Sequence, residues 1–442
     1  MRVRENYKFD FKPFSPKSKE VINVHLNHIF DEYDGIIAIG AVRSSKTFSI
    51  AIGQVFYVCA TADNTLNLWG GVSKEAIQEN YVNVTISILR SLGLRVRQVK
   101  NIVIVKVPKN HKWFKPCVNR FEIKGGDTKR SHGTIQGRTY YTIFIDEVLK
   151  VERSYYDMAR SRLTYKTSKQ FYTGNPEGPG HWVKKDIVDR AEELKLYHTI
   201  FVLDDNWSLA EEVKERYKRM FTGVFYQRMI LSKWVAAEGI IFDIPEENKI
   251  NVDEIPQWGE LYLSLDYGTS NALNAGLYQT IDRTDYKKAK IYKIDEYSYS
   301  GRERQKFLTN SEYIEEIEKF LEKYDLTFED LNAVIIDPSA LAFKTELQRA
   351  GAIVIDAIND VENGILVTQT FIKRRQLMFS TLCKKTFEEA ENYVWDEKAT
   401  EKGEDKPIKK GDHAMDETRY MIATLFLKDF QSGLLVSGGV NG

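Results

Sequence analysis

One octapeptide restricts the fold of this chain more than any other feature. Residues 40–47 read GAVRSSKT; they follow a short apolar run, IIAIG at 36–40, and they lead into a helical stretch at 47–60. A strand, a loop of small residues and a helix in this order form a cradle for phosphate, because the backbone N–H groups of such a loop point at a bound anion. The pattern G-x-x-x-x-G-K-[ST] is typical of nucleotide-binding P-loops. Only Ser45, which replaces the second glycine, departs from it.

The residue types in this loop predict separate roles at a nucleotide. Lys46 brings a positive charge towards the β- and γ-phosphates, and the Thr47 hydroxyl is suited to bind Mg²⁺. Arg43 is long enough to reach the γ-phosphate and to act there as a catalytic cation. The alternative is a serine-rich helix cap followed by a chance Lys-Thr pair. The predicted nucleotide-binding residues of the loop are Gly40, Arg43, Ser44, Ser45, Lys46 and Thr47.

A second element further along the chain supports a nucleotide hydrolase. The run TIFI at 142–145 is typical of a buried strand, and it ends in Asp146 and Glu147. We expect Asp146 to bind Mg²⁺ and Glu147 to act as the catalytic base that activates water. The next predicted strand ends in TGNP, 173–176, where we expect Asn175 to contact the γ-phosphate or its water. A simple Asn-Pro turn is the alternative for this last feature.

Carboxylates recur at strand ends in the second half of the chain. Asp266 and Asp337 each end an apolar strand, and Asp416 lies near the start of the last predicted helix. Spacings of three and four residues put His413 and Asp412 near Asp416 on that helix. Two strand ends and a helix that carry hard oxygen ligands meet the requirements of a two-metal phosphodiester site. We therefore predict catalytic, metal-binding roles for Asp266, Asp337 and Asp416, with His413 as a further ligand; structural capping is the alternative.

Three further features stay open in the sequence. Glu296 is either another ligand or a solvent-facing strand residue, and Asp412 either joins the metal site or does not. Basic residues cluster at 120–138 and 373–375, where DNA could pass. Such clusters are more often solvated faces than binding sites.

The order of strand and helix signals predicts an α/β protein with two domains. Apolar strands that alternate with helices in the first half predict a P-loop NTPase, with a mostly parallel sheet flanked by helices. Three successive strands, and then strands alternating with helices, predict a ribonuclease-H-like mixed α/β domain. The expected boundaries are 1–205 for the ATPase domain, 206–250 for a helical lid or linker, 251–430 for the nuclease domain and 431–442 for a flexible tail.

Composition excludes several classes of protein. The 63 basic and 63 acidic residues cancel, so the chain has no overall basic coat for nucleic acid. Cys59, Cys117 and Cys383 are far apart and predict neither a disulfide framework nor a zinc site. No apolar run approaches the ~18 residues that span a bilayer. The first residues lack the apolar core of a signal peptide, so we expect a cytoplasmic protein without a membrane partner.

In their order, these motifs resemble those of the large terminase subunit of tailed double-stranded DNA bacteriophages. The resemblance covers about residues 10–430 and rests on GAVRSSKT, GRTYYTIFIDE, TGNP, LSKWVAAEGIIFD, LSLDYG, IIDPSA and HAMDETRY. It implies a packaging motor whose P-loop ATPase drives double-stranded DNA into the procapsid. It also implies a ribonuclease-H-like endonuclease that cuts concatemeric DNA.

The resemblance implies cofactors and partners as well. The cofactors are ATP with Mg²⁺ at the first site and Mg²⁺ or Mn²⁺ at the second. The partners are double-stranded DNA, the small terminase subunit and the portal protein of the procapsid. The chain is then expected to be a monomer in isolation and a ring on the portal, in the host cytoplasm. An adenine-contacting motif upstream of the loop is not clear, and FSPKSKEV at 14–21 is a weak candidate.

The main alternative is a host-type helicase or translocase joined to a repair or recombination nuclease. Further helicase motifs between residues 60 and 240 would favour that class of enzyme, and the sequence shows none.

Overall fold

The computed structural model describes residues 14–221, 223–268, 272–301, 305–402 and 404–436. They form two compact units: the first runs to Ala236 and takes in the short segment that begins at Glu401, and the second comprises Ala237–Thr400 and the residues from Glu404 onwards. The segment 206–236 belongs to the first unit by its contacts. The predicted boundaries at 205 and 250 stay predictions.

An eight-stranded sheet forms the centre of the first unit. Its strands are β1 (Gly35–Gly40), β2 (Leu66–Gly71), β3 (Arg95–Val99), β4 (Ile102–Val107), β5 (Cys117–Gly125), β6 (Thr142–Ile145), β7 (Lys169–Gly174) and β8 (Leu196–Phe201). They lie in the order β3-β4-β5-β2-β6-β7-β1-β8. The pairs β3/β4 and β4/β5 are antiparallel and the other pairs are parallel, which confirms the predicted mostly parallel sheet.

Helices cover both faces of this sheet. They are α1 (Pro16–Ile22), α2 (Ile29–Glu32), α3 (Lys46–Thr61), α4 (Lys74–Ile77), α5 (Asn83–Ser91), α6 (Arg153–Ser161), α7 (Glu211–Met220) and α8 (Gly223–Met229). A π-helical turn, Gln78–Val82, joins α4 to α5. Along β1, Ile36 and Ala38 face one hydrophobic core, whereas Ile37 and Ile39 face another. A strand with both faces covered must be apolar throughout, which explains the run IIAIG.

A seven-stranded mixed sheet forms the centre of the second unit. Its strands are β9 (Lys249–Ile250), β10 (Glu260–Gly268), β11 (Ala272–Ile281), β12 (Lys290–Ser300), β13 (Ala333–Ile336), β14 (Val354–Asp356) and β15 (Leu377–Ser380). They lie in the order β14-β13-β10-β11-β12-β15-β9. The pairs β10/β11 and β11/β12 are antiparallel and the other pairs are parallel. Three antiparallel strands followed on one side by two parallel ones match the predicted ribonuclease-H-like order.

The last of the helices in the second unit packs on the sheet. The helices are α9 (Asn310–Glu322), α10 (Leu341–Arg349), α11 (Val361–Lys373), α12 (Lys384–Asn392), α13 (Glu397–Glu401) and α14 (His413–Val436). Helix α14 packs on β10, β11 and α11. The tail predicted at 431–442 begins inside α14, and residues 437–442 lie outside the described part of the chain.

Candidate nucleotide and metal sites

The loop between β1 and α3 contains two residues in the left-handed backbone region. Ser45, which precedes α3, has φ 66° and ψ 6°, and Arg43 has φ 56°. Glycine adopts this region freely, whereas other residues adopt it at a cost of about 1 kcal/mol. The Ser45 hydroxyl lies 3.1 Å from that of Ser18 on α1. Ser45 therefore has the backbone conformation that the glycine of the pattern would adopt without strain.

Lys46 is buried at the point where this loop meets β7. Its Nζ donates to Asn175 Oδ1 at 2.6 Å and to Ala41 O at 3.1 Å. Burial lowers the pKa of Lys46 below its ordinary value. Because β7 is the neighbour of β1 in the sheet, Asn175 at its end comes next to the loop although it lies far away in the sequence.

Asp146 and Glu147 lie at the end of β6, on the far side of β7. Asp146 Oδ1 accepts hydrogen bonds from Thr47 Oγ1 at 3.0 Å and from Thr173 Oγ1 at 2.5 Å. Burial raises the pKa of Asp146. Burial also raises the pKa of Glu147 to about 7, and the nearby charge of Asp146 adds to this effect. A carboxylate with a pKa near neutrality is suited to accept a proton from water.

The structure brings this predicted set together. Two hydrogen-bonded sets lie side by side at the loop, because Lys46 bonds to Asn175 and its neighbour Thr47 bonds to Asp146. A buried ammonium, a hydroxyl and a carboxylate in this arrangement fit a nucleotide triphosphate with Mg²⁺. Ser44 contributes to the loop itself, since its Oγ donates to Ala41 O at 2.8 Å.

In the second unit, Asp266 and His413 form a close pair. Asp266 lies near the end of β10, and His413 is the first residue of α14. Asp266 Oδ2 and His413 Nδ1 are 2.6 Å apart. This hydrogen bond raises the pKa of His413. Burial raises the pKa of Asp266, and among the other influences the charge of Asp416 acts in the same direction, so the two carboxylates lie near each other.

Asp416 is held by two cations of its own unit. Lys409 Nζ lies 2.5 Å from Asp416 Oδ2, and Arg419 Nη2 donates to Asp416 Oδ1 at 3.0 Å. Lys409 Nζ also lies 3.1 Å from Asp412 Oδ2, which places Asp412 beside the site. Burial disfavours the charged form of Lys409, but the carboxylates outweigh it and raise its pKa.

Asp337 is linked to Asp416 through two side chains. Asn359 Nδ2 donates to Asp337 Oδ2 at 2.7 Å, and Asn359 Oδ1 accepts from Arg419 Nη2 at 3.3 Å. Burial opposes the charged form of Asp337, yet hydrogen bonds from Ser339 bring its pKa below the ordinary value. Asp337, Asp416 and Asp412 are therefore joined by a network of hydrogen bonds and ion pairs, whereas Asp266 is hydrogen-bonded to His413.

The donor atoms of this network fit Mg²⁺ or Mn²⁺ in their chemistry. Carboxylate oxygens with one imidazole nitrogen suit both ions. The Lys409 ammonium on Asp416 shows that a cation is accommodated there. Among the residues that the structure describes, no three His, Cys, Asp or Glu side chains are arranged as ligands around one point. Protein cations neutralise the carboxylates instead.

Glu296 belongs to a different cluster. Its carboxylate accepts from Thr386 N at 2.9 Å and from Thr386 Oγ1 at 2.6 Å, and it lies 3.2 Å from Lys293 Nζ. Lys293 Nζ also donates to Glu417 Oε2 at 2.6 Å. In the described structure Glu296 contacts none of the predicted metal ligands.

Several residues of the second site carry no signal in the sequence analysis. Lys409, Arg419 and Asn359 contact the predicted ligands directly, and Glu389 accepts a hydrogen bond from Ala414 N at 2.7 Å at the start of α14. Arg419 lies three residues after Asp416, a spacing that places both on one helical face and could have indicated the pair.

Comparisons with known proteins identify the family to which the chain is similar. Residues 37–249 match the family described as terminase large subunit, T4likevirus-type, N-terminal. A structure of the large terminase from a thermophilic bacteriophage is similar to this chain with a TM-score of 0.84 at 36% sequence identity, over 93% of this chain and 99% of that one. The same terminase in complex with ADP and with ATP-gamma-S gives TM-scores of 0.81 and 0.79 at the same identity and coverage. No curated protein matches the chain.

Proposed function

The chain belongs to the large terminase subunits of bacteriophages, and on that premise we propose that it is both a DNA-packaging ATPase and a metal-dependent endonuclease. It would hydrolyse ATP to move double-stranded DNA into a procapsid and would cut concatemeric DNA. One observation carries the proposal: each compact unit holds one of the two sets of groups. In the first unit Lys46 bonds to Asn175 and Thr47 bonds to Asp146. In the second unit Asp266 pairs with His413, and Asp416 lies on the same helix as His413.

In the ATPase, the chain's own residues bind the nucleotide and handle one proton. Backbone N–H groups of the loop and the Lys46 ammonium would bind the phosphates. Thr47 and Asp146 would hold Mg²⁺, which when bound neutralises charge on the phosphates. Glu147 would orient the attacking water and accept its proton, a role that a pKa of about 7 suits. Arg43 would stabilise charge on the transferred group.

In the nuclease, the carboxylates would hold the metal ions. Mg²⁺ or Mn²⁺, when bound, activates water and stabilises the leaving oxygen of the phosphodiester. Asp266, Asp337 and Asp416 would be the ligands, with His413 beside them. Because Lys409 pairs with the same Asp416 carboxylate, it competes with a metal for that oxygen. Arg419 and Asn359 would hold Asp416 and Asp337 in place from behind.

A basic face on the first unit supports DNA as the substrate. In the register of β3, β4 and β5, Arg95 lies opposite Lys106, and Arg120 lies opposite Ile104. On the opposite face Val96, Val103, Val105 and Phe121 are buried, so the face that carries Arg95, Lys106 and Arg120 is the more exposed one. In the described structure, none of four exposed cations is in an ion pair with a carboxylate: Arg95, Arg97, Lys106 and Arg120. Arg120 Nη2 donates instead to Asn64 Oδ1 at 3.0 Å. Unpaired cations on one face are suited to contact phosphates.

Three cations of the basic clusters that the sequence indicated are paired with carboxylates. Lys124 and Arg138 both lie within ion-pair distance of Glu122, at 3.4 and 3.2 Å. Arg375 lies 3.3 Å from Glu247. We therefore propose that DNA contacts the β3–β5 face, which includes Arg120 of the first cluster.

Partners and location follow from the family. We propose double-stranded DNA, the small terminase subunit and the portal protein as partners, with the chain a monomer in isolation and a ring on the portal. The host cytoplasm is the proposed location. No helix in the described residues is long and apolar enough to cross a bilayer.

A host-type helicase or translocase with a nuclease is the second candidate function. Similarity to a phage large terminase over 93% of this chain disfavours it, because that similarity includes both units. If translocation of DNA required a portal protein, the result would favour the packaging motor over the host-type enzyme.

Hydrolysis of ATP by the full-length chain tests the first site. We expect Glu147→Gln to bind ATP with unchanged affinity, because the Lys46 ammonium that contacts the phosphates is retained. Its rate of ATP hydrolysis should fall by at least about 100-fold, because the general base is removed. Lys46→Ala should weaken binding as well. Binding is measured by calorimetry and hydrolysis by phosphate release. Hydrolysis by Glu147→Gln at the wild-type rate would reject the assignment of this residue.

A further inference from the structure

The strand order determines the direction in which a nucleotide lies on the phosphate-binding loop. Asp146 and Glu147 follow β6 and Asn175 follows β7, and both strands lie on one side of β1. The γ-phosphate must point to that side, because these are the groups that act on it. On the other side of β1 lies β8. The sugar and base therefore leave the loop towards the segment that follows β8.

That segment is held against the loop by specific hydrogen bonds. Asn206 Nδ2 donates to Arg43 O at 2.7 Å. Asn206 Oδ1 accepts from Ser208 Oγ at 2.6 Å and from Ser208 N at 3.1 Å, so both ends of the Asn206 amide have partners. At the end of β8, Phe201 O accepts from Ala41 N at 2.8 Å. The position of residue 207 relative to the loop is therefore fixed before any ligand binds.

Trp207 occupies this position with its side chain open to solvent. Its exposed fraction is 55%, although tryptophan is among the most apolar side chains. Its indole has no ring contact with another described side chain, unlike Trp69, Trp113 and Trp182 in the same unit. An open indole face is suited to stack on a base, because every base has a π face.

We propose that Trp207 is a nucleotide-binding residue on which the base of the bound nucleotide stacks. The proposal rests on the proposed ATPase and supplies a contact for the base, which no motif upstream of the loop clearly provides. Stacking tolerates different bases, so Trp207 would strengthen binding of ATP and GTP alike. It would not contribute to the binding of the phosphates alone.

Calorimetry on the full-length chain tests this with two ligands, ATP and inorganic tripolyphosphate, each with Mg²⁺. We expect Trp207→Ala to lower the affinity for ATP about tenfold and to leave the affinity for tripolyphosphate within about twofold of wild type. Trp207→Phe, which retains an aromatic face, should recover most of the ATP affinity. Trp258 in the second unit is 65% exposed, and Trp258→Ala is the matched control that should change neither affinity.

Equal losses for ATP and tripolyphosphate in Trp207→Ala would overturn the proposal, because they would show a distorted phosphate-binding loop. Unchanged ATP affinity would overturn it too. If the wild-type protein bound neither ligand, the proposed ATPase function itself would be rejected, which differs from rejection of the stacking contact alone. Should Trp207→Ala fail to fold, fluorescence decides: ATP should quench the emission of wild type more than that of Trp207→Phe, and equal quenching would overturn the stacking contact.

Discussion

At Ser45 the backbone adopts a conformation that the side chain disfavours. With φ at 66°, Ser45→Gly should relieve strain of about 1 kcal/mol and raise the melting temperature of the first unit by about 2–4 °C. Ser45→Ala keeps the strained Cβ and loses the contact with the Ser18 hydroxyl, so it should melt below wild type. Calorimetry measures the melting temperatures of the wild type, Ser45→Gly and Ser45→Ala. A lower melting temperature for Ser45→Gly would show that the Ser18 contact outweighs the strain.

At the same scale, the sequence predicts the residues that lie in short motifs and misses those that support them. Lys46 and Asp146 are indicated because a strand end and a loop pattern mark them locally. Asn359 is not indicated, since its partners Asp337 and Arg419 are brought to it only by the fold. Arg419 is marked only by its spacing of three residues from Asp416. Glu296 has the same local pattern as Asp266, a carboxylate late in a strand. Its contacts with Thr386 and Lys293 depend on which strand lies next to β12, which the local pattern does not contain.

A buried ion pair links helix α14 to the sheet, beside the hydrogen bonds from Ser264 to Glu417 O and from Tyr278 to Thr418. Lys293 on β12 and Glu417 on α14 are both fully buried, and Lys293 Nζ donates to Glu417 Oε2 at 2.6 Å. Glu417 is the residue after Asp416, so this pair fixes the part of the helix that carries the predicted metal ligands.

Lys293→Met should destabilise the second unit by about 3–5 kcal/mol, because it leaves buried carboxylates without a cation. Lys293→Met with Glu417→Gln should recover the part of that loss that comes from Glu417, while Glu296, which also pairs with Lys293, stays without a cation. Urea unfolding measures both. A loss below about 1 kcal/mol in the single variant would contradict a positional role for the pair.

The β3–β5 face gives a prediction for DNA binding. Each phosphate contact changes the slope of log affinity against log salt by about 0.9, so Arg95→Gln with Arg97→Gln should reduce the slope by about 2. Affinity for duplexes of different sequence should fall alike. Filter binding over a range of salt concentrations measures the slope. Arg190→Gln is the control, because this exposed arginine is already paired with Glu193. If the salt dependence of DNA affinity were unchanged in the double variant, DNA would not contact these two arginines.

The strands of that face also show where sequence patterns fail. The apolar strands β1, β4 and β6 are indicated by runs of apolar residues. Strand β3, with the sequence RVRQV, has one buried residue among five, so its extended form comes from pairing with β4 and not from its own hydrophobicity. Strand β8 at the other edge likewise mixes buried and exposed residues. Edge strands of this kind are specified by their neighbours.

On the scale of the whole molecule, the two sites are built from separate sets of residues. Every hydrogen bond described at the nucleotide site joins residues of the first unit, and every one described at the carboxylate site joins residues of the second. Each sheet also has its own hydrophobic core. Loss of one set of ligands therefore leaves the residues of the other in place.

We accordingly expect the two activities of the full-length chain to be separable by substitution. Asp266→Ala should abolish metal-dependent nicking of plasmid DNA and leave ATP hydrolysis within a few-fold of wild type, because it removes one carboxylate from the second unit only. Lys46→Ala should abolish ATP hydrolysis and should retain the nicking activity, which is assayed with Mn²⁺ in the absence of ATP. Asp253, an exposed carboxylate of the second unit, supplies the control Asp253→Ala, which should keep both activities. Circular dichroism establishes that each variant is folded. If folded Asp266→Ala lost ATP hydrolysis as completely as it lost nicking, the assignment of one activity to each unit would be wrong, since a carboxylate of the second unit would then be needed for chemistry in the first.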